Sequence, residues 1–512
     1  MKLKTKVFVT LIPFLSILAC NQSPNRDAIK KESIQKGIFE PIVTGRIATD
    51  GNLSRGVAWG DYDQDGDPDL YVANSNGQWN FLYRNNGDGT FKKMTSDASG
   101  GDMYSEVVKH GGNSQGVNWV DYDNDGDLDL YVVSRGQEGN FLFENIENLG
   151  FKRISDHPLT SDDIAASMAC WVDIENDGDL DVFIVASGSG SNLVFKNQGN
   201  GVFEKMNDSP LTSGNGSGRA CGCGDLNNDG LPDFYVANAR KPNLYFKNLG
   251  NWKFEKINSG HVVEDIGYSY GVSMADYDED GDLDLFLANF DKQNFLYNND
   301  GQGNLTVVKQ SILTRQQGGA SKGHTWGDYD NDTDIDLFIA NGTYRPDMHN
   351  FLYLNQGNGT FIQNVTDQIT KHADTSAGTA HADFDRDGDL DIFVANWGSN
   401  DQINRFYKNS TTNKNWITIR LRGVQSNSNG IGTQAILNFI VDNKEKRIHR
   451  WMYPVTGYGS QNDYELHFGL GNSTKIKSII LKWPSGIVDT LKNIAVNTHY
   501  LAEEKGKLSE IK

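Results

Sequence analysis

The sequence predicts an all-β protein, with a seven-bladed β-propeller followed by a small β-sandwich-like domain. Three observations lead to this prediction. An aspartate-rich block of nine residues recurs seven times at intervals of 51 to 60 residues, a short run of β-branched and aromatic residues follows each block, and the repeat stops near Asn415. Four short strands per interval, repeated in this way, are typical of propeller blades.

Charge is distributed unevenly along the chain. The 512 residues include 67 acidic and 47 basic side chains, for a formal charge of −20, and the seven blocks hold 34 of the acidic residues. The remainder is mildly basic, which suits a ligand such as an acidic glycan. Basic clusters and recognition motifs are missing from the sequence, so we do not expect a nucleic-acid partner.

The N-terminus has the features of a secretory signal. Three lysines precede an apolar run over residues 7–19 that is too short to span a bilayer. The run ends Ile17-Leu18-Ala19-Cys20, which resembles the lipobox of bacterial lipoproteins and implies lipidation of Cys20; an ordinary signal peptide is the alternative. We expect a signal peptide over 1–19 and a polar tether over 20–36. The protein would then be lipid-anchored in the bacterial cell envelope, at the outer membrane or cell surface, with the lipid as its only membrane contact.

The blocks themselves point to a metal. Acidic side chains alternate along each block and a glycine occupies the sixth position of six of them, which suits a hard cation that takes six to eight oxygen ligands. Calcium is the natural candidate. An EF-hand would need a glutamate at position twelve, where this chain has apolar residues such as Val72 and Val132. Each loop therefore joins two strands.

The position of the last strand sets the domain boundaries. After the seventh block the chain lacks a strand like Gly89-Thr90-Phe91, and Gly37-Ile38-Phe39-Glu40 supplies such a strand before the first block. We predict that residues 37–43 close blade seven and so remove the open edges of the ring. The propeller then covers 37–412 and the second domain 413–512.

The blocks and their trailing Gly-x-Phe strands resemble the FG-GAP/VCBS repeats of integrin α-subunit propellers and bacterial surface proteins, over roughly residues 37–410. The resemblance implies that positions one, three, five and nine bind calcium through side chains and position seven through its carbonyl, for up to seven Ca²⁺ ions. The residues so assigned are Asp61, Asp63, Asp65, Asp67 and Asp69 in blade one; Asp121, Asp123, Asp125, Asp127 and Asp129 in blade two; Asp173, Glu175, Asp177, Asp179 and Asp181 in blade three; Asp225, Asn227, Asp229, Leu231 and Asp233 in blade four; Asp276, Asp278, Asp280, Asp282 and Asp284 in blade five; Asp328, Asp330, Asp332, Asp334 and Asp336 in blade six; and Asp383, Asp385, Asp387, Asp389 and Asp391 in blade seven.

Three blades depart from the pattern. Blade four has Asn227 and Leu231, blade three has the longer Glu175, and blade six has Thr333 in place of the turn glycine. A positive φ at Thr333 would cost roughly 1 kcal/mol. We expect the tightest binding in blades one, two, five and seven.

The last hundred residues contain four glycine-rich motifs in a fixed order: Asn429-Gly430-Ile431-Gly432, Gly457-Tyr458-Gly459-Ser460-Gln461, the run 466–471 and Trp483-Pro484-Ser485-Gly486. Through these motifs the segment resembles the ASPIC/UnbV domain, which follows FG-GAP repeats in the cartilage acidic protein family. The sequence departs at Thr433-Gln434, where the family has a small residue and an arginine. The resemblance implies an architecture more than a mechanism.

Cysteines and aromatic residues on the predicted inner strands suggest no chemistry of their own. Trp59, Trp119 and Trp171 lie two residues before the blocks, where core packing is favoured. Cys170 is predicted to neighbour Cys221 and Cys223. We favour free buried thiols, and a bridge from Cys170 to one of the other two stays open.

The function predicted from these features is binding. Loop aromatics on the face opposite the metal blocks, Trp79, Phe290, Tyr344 and Trp397, are candidate ligand-binding residues. We expect a calcium-stabilised, lipid-anchored binding or adhesion protein that recognises a glycan or protein ligand through its propeller loops. The alternative is a lyase-like enzyme that acts on polysaccharide. Such an enzyme would need an acid and a base clustered in one pocket, and the sequence assigns no catalytic residue.

Overall fold

The computed structural model describes residues 37–95, 104–110, 112–136, 138–146, 150–162, 164–188, 190–214, 216–315, 319–342, 348–399 and 402–511. The predicted signal peptide and tether, including Cys20, lie outside the described residues, and so does Tyr344.

The described residues form seven consecutive blades of four antiparallel strands, which confirms the all-β propeller prediction. The first strands are Ser54–Gly60, Ser114–Val120, Ala166–Val172, Gly218–Gly224, Ser269–Ala275, Ser321–Gly327 and Ser376–Ala382. The second strands are Asp69–Asn74, Asp129–Ser134, Asp181–Ala186, Asp233–Asn238, Asp284–Asn289, Asp336–Asn341 and Asp391–Asn396. The third strands are Phe81–Asn85, Phe141–Asn145, Leu193–Asn197, Leu244–Asn248, Phe295–Asn298, Phe351–Asn355 and Arg405–Asn409. The outer strands of blades one to six are Phe91–Lys93, Phe151–Ile154, Phe203–Lys205, Phe254–Ile257, Thr306–Val307 and Phe361–Gln363.

Short helical turns connect some blades. The α-helical turns are Arg46–Thr49, Ser105–Lys109, His261–Glu264 and Ile312–Arg315, and the 3₁₀ turns are Pro158–Thr160, Pro210–Thr212 and Gln368–Thr370. Among the described residues no helix is long and apolar enough to cross a bilayer.

Blade seven takes its outer strand from the start of the described chain. Phe39–Ile42 pairs antiparallel with Arg405–Asn409, with Phe39 opposite Asn409. The seventh sheet thus joins both ends of the propeller segment, and the edge of its third strand is covered.

An asparagine at the end of each third strand bonds the blades into a ring. In every blade its Nδ2 donates to a backbone carbonyl of the preceding blade over 2.7 to 3.0 Å, and Asn85 closes the ring by donating to Phe384 of blade seven. The other pairs are Asn145 with Tyr62, Asn197 with Tyr122, Asn248 with Ile174, Asn299 with Leu226, Asn355 with Tyr277, and Asn409 with Tyr329. Each amide thereby gives the carbonyl of a buried residue a hydrogen-bond donor from the next blade.

The C-terminal domain consists of two four-stranded sheets. In hydrogen-bonding order, one contains Glu465–Gly471, Asn415–Arg422, Thr498–Glu503 and Lys507–Ile511, and the other Lys444–Trp451, Gln434–Val441, Lys475–Lys482 and Val488–Leu491. Buried side chains such as Ile417, Leu437 and Phe468 form its core.

A hairpin of the C-terminal domain enters the axis of the propeller. Its strands are Val455–Thr456 and Ser460–Gln461, and we call residues 455–461 the plug hairpin. Gln461 pairs in parallel with Ala58 of blade one, and the hairpin carbonyls accept hydrogen bonds from the first strands of blades two and five over 3.2 Å. A Cβ at Gly457 would lie 2.5 Å from the backbone nitrogen of His324, so the tip requires glycine. The plug hairpin therefore fills the central channel.

The first strands of blades three and four are cross-linked. Cys170 and Cys221 form a disulfide with their Cα atoms 6.3 Å apart, within the normal range, while Cys223 remains a buried thiol. The expectation of free thiols is therefore wrong for Cys170 and Cys221, because the two strands lie side by side at bonding distance. Trp59, Trp119 and Trp171 are buried in the core, as expected.

Candidate functional site

Each aspartate-rich loop is held in shape by its own carboxylates. In blade two the backbone N–H of Gly126 donates to Asp121 over 3.2 Å, and Asp129 accepts from the backbone N–H groups of Tyr122 and Asn145 over 3.4 and 2.8 Å. The same pattern recurs around the ring, for example at Asp276 and Asp284. Positions one and nine therefore shape the loop as well as offering ligand oxygens.

In five blades the acidic side chains converge closely enough to hold a metal ion. One oxygen from each of three carboxylates lies within 4.8 Å of the others. The groups are Asp61, Asp63 and Asp69; Asp121, Asp123 and Asp129; Asp276, Asp278 and Asp284; Asp328, Asp330 and Asp332; and Asp383, Asp385 and Asp391. Positions one, three and nine meet in blades one, two, five and seven, whereas positions one, three and five meet in blade six. Blades three and four form no such group within the described residues.

The donor atoms in these groups fit a hard cation. In the described part of the chain, buried Oδ1 atoms of Asp61, Asp121 and Asp276 at position one have no hydrogen-bond partner, and neither do those of Asp123 and Asp278 at position three. Buried carboxylate oxygens without a donor are costly unless they bind a cation. Calcium, which takes oxygen ligands in flexible geometry, matches this donor set.

Without a cation the pKa values of these carboxyl groups are raised above their ordinary range. Burial, and to a lesser extent the neighbouring carboxylates, raises the pKa of Asp129 to about 9, although the backbone N–H of Asn145 opposes the shift. The pKa of Asp284 is raised to about 9 and that of Asp276 to about 8, in both cases mainly by burial. A bound cation would favour the ionised forms.

A side chain on the third strand sets the charge balance of each loop. Arg84 contacts Asp63 and lies 3.2 Å from Asp65 in blade one, and Lys408 contacts Asp385 and lies 3.1 Å from Asp387 in blade seven. In blade three Lys196 pairs with Glu175 in the same way. Blade two has Glu144 at this position, blade five Asn298 and blade six Leu354. The charge at this position therefore differs between blades whose aspartate-rich loops have similar sequences.

The exceptional turn in blade six has the expected geometry. Thr333 has a φ of 100°, close to the 103° of Gly66 in blade one. The C-terminal domain supports this turn, because Arg450 donates to the Thr333 carbonyl over 3.2 Å and Lys446 bonds the Thr333 hydroxyl.

The C-terminal domain covers the face of the propeller that carries the aspartate-rich loops. Arg420 bonds Asp61 over 2.9 Å, and Lys446 pairs with Asp334 over 2.7 Å and with Glu279 over 3.0 Å. Trp416 packs against Gly388, where a Cβ would collide with the indole. This face is consequently an interface within the chain.

An ion network lies at the centre of that interface. Glu465 pairs with Arg420 over 3.0 Å and with Arg386 over 3.2 Å, and Arg420 also bonds Asp61. Burial alone would raise the pKa of Glu465, but Arg420, His499 and Arg386 hold it well below its usual range. A predicted calcium ligand of blade one is thus bonded directly to the second domain.

Sequence comparison places these features in a family. The FG-GAP-like repeat profile matches residues 61–132, 121–184, 173–236, 225–287, 276–339 and 328–394, which together cover more than half of the chain. The chain belongs to the FG-GAP-like repeat family. Residues 423–509 match the ASPIC and UnbV family.

Two relatives align with most of this FG-GAP protein. Cartilage acidic protein 1 from Xenopus tropicalis is 25% identical over 473 residues, which cover 86% of this chain and 71% of the relative. The human protein of the same name is 24% identical over 476 residues, covering 85% and 69%. Among solved structures, a lectin from Agrocybe aegerita that recognises non-reducing terminal N-acetylglucosamine aligns with a TM-score of 0.42 at 16% identity, covering 71% of this chain and 87% of its own. YCF48 from Cyanidioschyzon merolae aligns with a TM-score of 0.43 at 10% identity, covering 73% and 98%.

The opposite face of the FG-GAP propeller brings two of the predicted ligand-binding residues together. Phe290 and Trp397 both lie near the Lys322 ammonium, at 5.2 and 4.0 Å from their ring centres, and the ring of Tyr270 lies 5.4 Å from Phe290. These residues surround the end of the axis away from the aspartate-rich loops, which we call the channel mouth.

Trp79 occupies a different environment on the same face. Its side chain is 57% exposed, and the Lys109 ammonium lies 4.9 Å from its ring. It lines a groove of about 670 Å³ with Asn52, Phe81 and Val108. The three described members of the predicted aromatic set therefore divide between the channel mouth and this groove.

Proposed function

We propose that this FG-GAP and ASPIC/UnbV protein is a calcium-stabilised, non-catalytic binding or adhesion protein that recognises a glycan or protein ligand through the channel mouth. One observation carries the proposal. The C-terminal domain covers the loop face and its plug hairpin fills the axis, whereas Tyr270, Phe290 and Trp397 remain partly exposed at the other end. Aromatic side chains on a rigid scaffold are well suited to binding.

Calcium has a structural role in this proposal. The aspartate groups lie inside tight strand connections whose carboxylates also accept backbone hydrogen bonds. A catalytic cation keeps an open coordination position beside a positioned base. The loops would instead use calcium to offset the repulsion between neighbouring carboxylates and to hold the hairpins in shape.

Binding can be tested on glycan arrays and immobilised cell-surface proteins, with calcium-loaded and metal-stripped protein. The double variant Phe290→Ala with Trp397→Ala should lose any ligand found, while Trp79→Ala reports on the separate groove. Retained binding in the double variant would place the ligand away from the channel mouth and contradict the proposal. A product assay on each saccharide hit covers the enzyme alternative, because shortened chains would indicate cleavage.

We further propose that the protein is anchored in the bacterial cell envelope through a lipid on Cys20. The lipobox-like sequence supports this location, as does the Cys170–Cys221 disulfide, since such bonds persist mainly in oxidising compartments. Metabolic labelling with an alkyne fatty acid should mark the wild-type chain and not Cys20→Ala. Equal labelling of both chains, or a soluble wild-type protein, would contradict the anchor.

A further inference from the structure

Basic side chains from three blades meet at the channel mouth. Arg55, Arg219 and Lys322 each occupy the second position of a first strand, in blades one, four and six. The Arg55 guanidinium and the Lys322 ammonium both lie 4.0 Å from the ring centre of Trp397, and Arg219 lies 5.7 Å from that of Tyr270. Cations and aromatic rings therefore form one group.

No carboxylate among the described residues pairs with Lys322. Its side chain is fully buried, and among the described residues its Nζ has no hydrogen-bond partner. Burial and the nearby Arg55 hold its pKa well below the usual range, and no carboxylate opposes this shift. Arg55 and Arg219 donate to neutral acceptors, the Ser75 hydroxyl over 3.3 Å and the Gly218 carbonyl over 2.9 Å. A buried cation without a partner is unfavourable, and an anion would relieve that cost.

The plug hairpin forms the floor of the mouth. The Tyr458 ring at its tip lies 5.2 Å from Tyr270, and its buried hydroxyl has no hydrogen-bond partner in the described part of the chain. The buried Nε2 of Gln115 on blade two is likewise without one there. The plug hairpin therefore closes the axis below the mouth, so a ligand would reach the mouth from outside and would not thread through the channel.

We propose that the channel mouth is a binding site for an acidic saccharide, with the partly exposed Arg55 and Arg219 holding its acid group and the buried Lys322 adding positive charge beside Phe290 and Trp397. The sugar ring would pack on Tyr270, Phe290 and Trp397. Guanidinium groups match the planar or tetrahedral oxygens of a carboxylate or sulfate. The negative faces of aromatic rings attract the C–H groups of a pyranose. The inference rests on the proposed binding function and specifies its ligand class.

An acidic peptide would share the charge but lacks a docking edge here. Peptides that bind propeller or sheet edges extend the sheet through main-chain hydrogen bonds. The plug hairpin already occupies the inner edges of blades one, two and five, at Ala58, Val117 and Val272. The side chains at the mouth instead offer charge and flat apolar surface, which suits a sugar.

Titration calorimetry on the calcium-loaded mature chain tests the inference with three probes of matched length: oligogalacturonate, sulfated dextran and neutral dextran. The carboxylate and sulfate arms identify which acid group is preferred. The variants are Arg55→Gln with Arg219→Gln, and Lys322→Met, which keeps the side-chain volume. Lys241→Gln, exposed on the same face in a loop between second and third strands, is the matched control. Thermal melts establish whether each variant folds. If Lys322→Met does not fold, the arginine double variant, whose changes are at partly exposed positions, still tests the inference.

We expect at least one acidic probe to bind, to weaken as salt is raised, and to lose tenfold or more in affinity in the charge variants and in Phe290→Ala with Trp397→Ala. Lys241→Gln should bind as wild type. Equal binding of neutral dextran, unchanged affinity in the arginine double variant, or no binding of either acidic probe would overturn the inference. If a different ligand binds, and only the aromatic double variant loses that binding, the proposed function stands and the acidic-saccharide inference fails. If a ligand binds equally well to every variant, both the proposed function and the inference fail.

Discussion

Removing calcium should reverse the way in which stability depends on pH. In the metal-free protein the pKa values of Asp129 and Asp284 are raised to about 9, mainly by burial, from an ordinary value of 3.8. Folding therefore takes up protons at neutral pH. The stability associated with these protonated carboxyls is fully present below pH 3.8 and is lost as the pH rises towards 9. In the calcium-loaded protein the same carboxylates must be ionised, so acid should weaken calcium binding and lower stability.

The size of the effect follows from one carboxyl. Between pH 7 and pH 5 Asp129 stays protonated in the metal-free fold and ionised in the unfolded chain, so each pH unit changes the free energy of unfolding by about 1.4 kcal/mol. The gain from pH 7 to pH 5 is then about 2.7 kcal/mol for that residue. An increase of this order corresponds to a rise of roughly 5 °C in the unfolding midpoint of a large domain.

The assay is a set of thermal melts at pH 5, 6, 7 and 8, followed by tryptophan fluorescence. Metal should be stripped at pH 8 and the protein exchanged into metal-free buffers, because chelators weaken in acid. We expect the midpoint of the stripped protein to rise as the pH falls and that of the calcium-loaded protein to drop. Asp129→Asn should reduce the pH dependence of the stripped protein without abolishing it, because Asp284 still contributes. Parallel curves for the two forms, or a stripped protein that loses stability in acid, would refute the reasoning.

Three more predictions concern charge and closure. Glu144→Lys gives blade two the basic residue that blades one and seven already have, so the stripped protein should gain stability and show a smaller calcium-induced rise in melting temperature. The exposed Glu255→Lys should change neither quantity. An unaltered calcium response in Glu144→Lys would contradict the charge-balance argument. Arg420→Gln removes the ion partner of Asp61 and one of the two arginine partners of Glu465, so it should lower the free energy of unfolding by about 3 kcal/mol in denaturant titrations. The exposed Arg422→Gln should cost less than about 0.5 kcal/mol. Equal losses in the two variants would be inconsistent with the buried network. A chain that begins at Asn52 lacks the outer strand of blade seven and should melt at lower temperature with a broader transition; an unchanged melt would show that closure contributes nothing.

The fold was predictable because the repeat specifies it at several levels at once. The spacing of the blocks, the apolar residue at position twelve and the Gly-x-Phe runs all require strands joined by acidic loops. The sequence also contains the asparagines of the ring, because an asparagine recurs four residues after the start of the third strands, as at Asn85 and Asn145. Its role was missed because the carbonyl it bonds lies in the preceding blade, 73 to 83 residues earlier in six of the seven pairs.

The plug hairpin could not be read from the chain. The run Gly457-Tyr458-Gly459 looks like a surface turn, and only packing shows that it contacts the first strands of several blades. The same holds for Cys170 and Cys221, whose bonding depends on how close two neighbouring strands lie. Lys322 at the start of a strand would ordinarily be taken as exposed, yet the rings around it leave it fully buried. The position of the hairpin, the disulfide and the burial of Lys322 all depend on contacts between segments that are distant in the sequence.

The aspartate-rich loops and the basic side chains of the channel mouth lie at opposite ends of the first strands, and the distance between them limits how calcium can affect a ligand at the mouth. A first strand of seven residues separates the aspartate-rich loop from the mouth by about 20 Å. This distance exceeds the Debye length of about 8 Å at physiological ionic strength, so the charge of bound calcium is largely screened at the mouth. Calcium can instead act through structure, because Asp61 bonds Arg420 of the domain that supplies the plug hairpin, and Tyr458 of that hairpin forms the floor of the mouth. A calcium dependence of binding that persists in high salt would therefore indicate coupling through the plug hairpin, and one that disappears in salt would indicate electrostatic attraction alone.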